Sequence, residues 1–145
     1  MSLYILDTDH MSLLERLDTQ AGYQIHNRMD QLLSSSDSAV TTVVTFEEQL
    51  RGWMARLAKA KTVSQQVVDY RKLNQLLENY RTIIVIDFDE KSALQFQALL
   101  KARIRIGTMD LKIAAITIAN NATLLSRNLK DFSKIPDLKV EDWAI

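Results

Sequence analysis

The chain of 145 residues has no cysteine, one proline, three glycines and two histidines. Without cysteine there is no disulfide framework, no thiolate zinc site and no thiol nucleophile. Gly22, Gly52 and Gly107 are scattered, so they cannot form a phosphate-binding loop or a dinucleotide fingerprint. His10 and His26 stand apart from any acid–base pattern, which argues against chemistry run by a histidine pair. No apolar run reaches the length of a membrane span. The opening MSLYILDTDH has no basic segment and no small-residue cleavage site, so the expectation is a soluble, unprocessed, cytoplasmic protein with no membrane role. An excess of one charge is also missing. The chain carries 18 basic and 18 acidic side chains, whereas a protein that coats nucleic acid is strongly basic.

What is present is ordinary globular composition, 47% hydrophobic and 25% charged, at a length that suits one domain over residues 1–145. The balanced charge is unevenly placed. Residues 1–50 hold eight acids and only Arg16 and Arg28 as bases. Residues 51–61 hold Arg51, Arg56, Lys59 and Lys61 with no acid. Residues 101–112 hold Lys101, Arg103, Arg105 and Lys112 against Asp110. Such separation can set an anionic pocket beside cationic rims, or simply mark solvated helix faces.

Short apolar, β-branched runs alternate with longer amphipathic stretches. Leu3–Leu6, Ser38–Val44, Thr82–Ile86, Ala122–Leu125 and Leu138–Val140 read as strands. Met11–Leu17, Ala21–Leu33, Thr45–Ala60, Val63–Tyr80, a stretch opened by Asp89, and one from Thr108 or Asp110 through Ile118 read as helices. Val67, Tyr70, Leu73, Leu76 and Leu77 form one apolar face of the fourth. Thr45 with Glu48 three residues on is a capping-box pattern. The alternation predicts an α/β fold with a mainly parallel sheet of four to five strands, whose ligands sit at the carboxyl ends of the strands.

Acids gather at those ends. Asp7 follows the first strand and Asp9 lies two residues on. Glu48 is near the start of the helix after strand two, Asp110 begins the helix after Gly107, and Asn128 and Asp131 follow strand four. Carboxylates converging on one edge raise one another's pKa, and a divalent cation relieves them. Mg²⁺ and Mn²⁺ favour such oxygen donors and support phosphodiester hydrolysis without a side-chain nucleophile. Each acid has a plainer use as well. Asp9 suits a helix N-cap, Glu48 the capping box of Thr45, Asp110 the helix dipole, and Asp131 a turn. His10 reads as a surface or capping residue and His26 as solvated. Trp53 and Trp143 read as core or dimer contacts rather than base-stacking platforms.

Together these segments resemble the PIN-domain ribonucleases, and in size the VapC-type toxins of type II toxin–antitoxin pairs. LYILDTDHMSLL resembles the opening strand, which ends in D-T-N or D-T-D. TTVVTFEEQLRGW resembles the second motif, S/T-x-V-T-x-x-E-L-x-x-G, with Gly52 setting the acid at Glu48. RIGTMDLKIAAITIANNATLLSRNLKDF resembles the third and fourth motifs together, and IPDLKVEDW the closing strand. The resemblance implies a Rossmann-like three-layer PIN fold. It implies an endoribonuclease whose catalytic and metal-holding acids are Asp7, Glu48, Asp110 and Asp131, with Mg²⁺ or Mn²⁺ as cofactor. Asn128 stands where some members carry an acid, which moves the fourth role to Asp131. Asp9, Thr45, Ser126 and Asn128 are the secondary polar residues of that site. The expected partners are an RNA substrate, a VapB-like antitoxin and a second copy of the chain. Arg51, Arg56, Lys59, Arg103 and Arg105 are candidates to track the RNA backbone, from charge clustering. The competing readings are a catalytically silent PIN-like binding domain and a small haloacid-dehalogenase-type phosphatase. The latter needs Thr where Met11 stands.

Overall fold

Short, continuously apolar strands bury both faces of a sheet, so such strands need helices above and below. The computed structural model describes residues 1–145 and shows this arrangement. The elements are β1 (Leu3–Leu6), α1 (Thr8–Leu14), α2 (Gln20–Leu32), β2 (Ser38–Thr42), α3 (Val43–Lys59), α4 (Val63–Tyr80), β3 (Val85–Ile86), α5 (Glu90–Lys101), α6 (Thr108–Ala119), β4 (Thr123–Leu125), α7 (Leu129–Phe132) and β5 (Lys139–Glu141). The five strands form one sheet in the order β3-β2-β1-β4-β5, and every pair is parallel.

The pleat divides the core in two. Ile5, Val40 and Leu124 face one side, with Leu99 of α5 and Ile113–Ile116 of α6. Leu6 and Leu125 face the other, with Met11 of α1, Ile25 of α2 and Trp143 near the C-terminus. α6 is buried almost all round, from Leu111 to Thr117, which is why its sequence shows little amphipathic stripe. The strand order reverses between β1 and β4. In open parallel sheets that switch point opens the ligand crevice at the carboxyl ends of the strands.

Several element boundaries move from their sequence expectations, each for a local reason. The Asp7 carboxylate accepts the Thr8 N–H at 2.8 Å and caps α1, so the helix begins at Thr8 and Asp9 is not its cap. α1 stops at Leu14 rather than Leu17 because α2 crosses its end closely. A Cβ on Gly22 would lie 2.2 Å from the Arg16 carbonyl oxygen, so only glycine fits there. Strand β2 ends at Thr42, whose hydroxyl accepts the Thr45 N–H at 3.0 Å. Thr42 is thus the cap of α3. Thr45 is its third residue, and Glu48 lies a turn further in and is no capping-box partner. Two β-branched valines, Val43 and Val44, start the helix against their propensity. β3 shrinks to two residues. On α4 only Asp69 and Leu76 are buried, while Val67, Tyr70 and Leu77 stay exposed. The predicted apolar face is therefore only partly covered. No helix is long and apolar enough to cross a membrane.

Candidate active site

The crevice at the β1/β4 junction holds a set of carboxylates. Asp7 continues the ladder, donating its N–H to the Leu125 carbonyl at 2.9 Å, so its side chain leaves the sheet at the switch point. Its Oδ1 accepts from Thr8 N and its Oδ2 from Ser126 Oγ at 2.8 Å. The residue is only 5% exposed. Glu48, from the second turn of α3, accepts from Thr8 Oγ1 at 2.6 Å. Asp110 is the third residue of α6. No side chain caps that helix, so the Asp110 carboxylate is not taken up in capping and faces the crevice near the positive end of the helix dipole.

Asp7, Glu48 and Asp110 each offer an oxygen, and these oxygens lie within 4.8 Å of one another. Three anions so close repel. Burial, the Asp9 charge and the Asp110 charge push Asp7 up to about 7, against the pull of its bonds to Ser126 and Thr8. Burial, then the charges of Glu48, Asp131 and Asp9, push Asp110 up to about 6. No Lys, Arg or His of the chain forms an ion pair with any of the three. An all-oxygen anionic donor set with no internal counter-cation fits a hard divalent ion such as Mg²⁺ or Mn²⁺.

The other expected site residues fall into place around this trio or outside it. Asp131, on α7, accepts from Asn128 Nδ2 at 3.1 Å and pairs with Lys134 at 3.5 Å. These contacts, the Asn128 bond first, hold its carboxyl below the usual range. It stands at the rim, near enough to raise Asp110 but outside the 4.8 Å group. Ser126 is fully buried and Asn128 donates its N–H to Ser126 Oγ at 3.0 Å, so both act through the turn after β4. Thr45 is buried against Thr42 in the first turn of α3 and makes no hydrogen bond to the trio.

Asp9 is tied down on all sides. Its Oδ2 accepts from Arg127 N at 3.0 Å and from Ser126 Oγ at 3.3 Å, and its Oδ1 meets His10 Nδ1 at 2.7 Å. Burial works against its ionisation, but these bonds outweigh it and hold Asp9 below the usual carboxylate range. His10 is fully buried, contrary to its reading as a surface or capping residue. Its Nε2 accepts the Trp143 N–H at 3.0 Å, so Nδ1 carries the proton and donates to Asp9. One imidazole thus joins the C-terminal segment to the loop that holds Asp7. Its burial had no sequence signal beyond its place in a short helix among Met11, Leu13 and Leu14. His26 is half-exposed beside Asp30, as expected.

The basic candidates separate. Arg51 is spent on Glu47. The guanidinium of Arg56 lies 5.1 Å from the centre of the Trp53 ring, and Arg56 and Lys59 border a pocket at the α3–α4 connection. Arg103 and Arg105 are exposed in the turn before α6. Trp143 is core, as expected, whereas Trp53 lines a groove beside Thr8.

No family model matches the chain. Ribonuclease VapC2 of Rickettsia felis is 29% identical over 145 residues, covering 97% of this chain and 98% of the relative. Ribonuclease VapC1 of Haemophilus influenzae is 27% identical over 142 residues, covering 98% of each. Among solved structures, VapBC-1 from nontypeable Haemophilus influenzae superposes with a TM-score of 0.72 at 26% identity, over 99% of each chain. VapBC2 from Rickettsia felis, bound to a DNA fragment from its promoter, gives 0.71 at 26% identity, over 97% of this chain and 98% of the other. The five-stranded parallel architecture is the one found in these toxin structures.

Proposed function

We propose that this chain, a full-length homologue of the VapC ribonucleases, is the endoribonuclease toxin of a toxin–antitoxin pair and cuts RNA with Mg²⁺ or Mn²⁺. The observation that carries this reading is the convergence of Asp7, Glu48 and Asp110 at the switch point, unneutralised by any cation of the chain. These three are the residues to hold the ion. When bound, the ion supplies positive charge against the phosphodiester and acidifies water near neutral pH.

The chain's own groups prepare that site. The Ser126 hydroxyl and the Thr8 N–H fix the Asp7 carboxylate. The Thr8 hydroxyl fixes Glu48. Asp110 stays free of such anchors, so it can adjust as the substrate's phosphate arrives. Asp131 and Asn128 shape the rim, and Asp131 acts on Asp110 through its charge. Thr45 supports the α3 turn that carries Glu48. Arg56 and Lys59, with Arg103 and Arg105 exposed before α6, contribute to holding the RNA backbone, while Arg51 is engaged by Glu47. The partners that fit are an antitoxin chain laid over the acidic crevice and a second copy of the toxin, in the cytoplasm, with residues 1–145 acting as one PIN domain. A phosphatase of the haloacid-dehalogenase type does not fit, because Met11 is core where that motif needs a hydroxyl.

The test is cleavage of total RNA by the purified protein with Mg²⁺, with Mn²⁺ and with EDTA, beside Asp7→Asn. Discrete fragments with 5′-phosphate ends that require metal and vanish in the variant are the expected outcome. An intact, antitoxin-free protein that cuts nothing would sink the reading.

A further inference from the structure

Three helices meet beside the acids, and each turns a polar stripe toward the others. α1 presents Thr8 and Ser12, and the turn after it Glu15 and Arg16. α3 presents Gln49, Trp53 and Arg56. α4 presents Lys72, Gln75 and Asn79. Such i, i+3/i+4 and i+7/i+8 faces between packed helices are ordinarily apolar, because they form the seam of the core. Here only Trp53 and Leu76 are hydrophobic, and the helices stand around an open groove of about 700 Å³. That volume falls in the range of small-molecule sites, roughly 300–1,000 Å³.

The groove is built rather than merely left over. Gln49 is held at both ends of its amide, donating to Ser12 Oγ at 3.0 Å and accepting from the Tyr80 hydroxyl. Arg16, Arg56 and Lys72 form no ion pair within the chain. Gly52 lies in the middle of α3, where alanine is the better helix residue. A Cβ there would touch nothing within 4 Å, so packing does not require the glycine. Its missing side chain keeps the wall beside Trp53 open. Thr8 joins the groove to the acids, since its hydroxyl donates to Glu48.

We propose that this groove is a subsite for one unpaired nucleotide of the RNA next to the scissile bond, with its base stacked on Trp53 and its phosphates met by Arg56, Lys72 and Arg16. This rests on the ribonuclease reading above. An indole ring stacks any base that has left its helix once the Arg56 guanidinium leaves its face for a phosphate, and the Gln75 carbonyl, whose amide N–H donates to Asn79 Oδ1 at 2.9 Å, accepts from base edges. A base still paired in a duplex cannot enter, so the subsite selects single-stranded loops.

The test is binding by the full-length Asp7→Asn protein with Mg²⁺, titrated with single-stranded RNA hexanucleotides and with the same sequences as duplexes. Trp143 is buried and still emits, but a ligand reaches only Trp53, so quenching on addition of RNA reports on Trp53. Unpaired RNA should quench it saturably and duplex should not. Trp53→Phe should remove the signal, and Trp53→Ala should weaken binding about 5- to 150-fold, the range of one base–aromatic stack. Gly52→Leu should block binding with the melting temperature unchanged or raised, while Gly52→Ala retains it. No RNA binding, equal quenching by duplex, or affinities untouched by Trp53→Ala and Gly52→Leu would overturn the subsite. So would a Gly52→Leu protein that keeps RNA but loses a co-expressed antitoxin, which would give the groove to a protein partner. Binding that behaves as expected in a wild-type protein that never cuts would leave the subsite standing and remove the nuclease.

Discussion

Asp7 carries three duties at once: N-cap of α1, last rung of the β1–β4 ladder, and a member of the acidic trio. Asparagine caps helices as well as aspartate does and keeps the carbonyl acceptor, so Asp7→Asn isolates the charge. Cleavage in steady-state assays should fall by more than about 100-fold, the upper end of what losing even an outer-shell partner of a metal costs. Glu48→Gln and Asp110→Asn should fall as far. Asp131→Asn should cost no more than about 10-fold, since its carboxylate sits at the rim with Asn128 and Lys134. Equal losses at all four positions would place Asp131 back among the ligands. His10 tests the same site from behind. His10→Phe strands the buried Trp143 N–H and one oxygen of the part-buried Asp9, and should lower stability by about 1–3 kcal/mol in denaturant titrations.

At the scale of elements, the strands and helices themselves are legible because hydrophobic period is a local property. β1 and α4 fall on the residues their patterns indicate, and all five strands appear. Caps are less legible, since Thr42 and Thr45 are both threonines and the β-branched Val43 and Val44 between them favour strand over helix. The choice between them is made by the sheet. Thr41 still donates to the Ile84 carbonyl, and the chain turns immediately after Thr42, the last residue of β2, which leaves its hydroxyl placed to cap. Thr42→Ala should therefore cost about 1 kcal/mol of stability, and activity should fall with it because Glu48 rides on that helix. Thr42→Ser should restore both. A cost confined to Thr45→Ala, with Thr42→Ala silent, would return the cap to Thr45. The exposed part of the α4 stripe was illegible for another reason: period identifies an apolar face but not whether anything covers it.

At the scale of the whole molecule, the strand order β3-β2-β1-β4-β5 brings together residues 7, 48, 110 and 126, which have no local relation. Their convergence was legible as a rule about parallel sheets; their separation into trio, rim and anchoring turn was not, because it depends on side-chain distances. The arrangement makes stability depend on pH and metal together. Asp7 has its folded pKa raised from 3.8 to about 7, and Asp110 from 3.8 to about 6. A raised acid holds its proton in the folded state while the unfolded chain has lost it. The metal-free protein should therefore be most stable below about pH 4 as far as these groups decide, and lose stability as pH rises from there to about 7. Asp7 alone accounts for on the order of 4 kcal/mol, at about 1.36 kcal/mol per pKa unit. The half-exposed Asp110 adds less, because solvent screens it. A divalent ion held by the ionised trio would reverse the slope. In denaturant titrations between pH 5 and 8, EDTA-treated protein should weaken with pH, Mg²⁺ or Mn²⁺ should stabilise it most at pH 8, and Asp7→Asn should flatten both effects. A metal-free protein with no such slope, or a metal effect that is the same at pH 5 and pH 8, would show that the trio is neutralised in some other way.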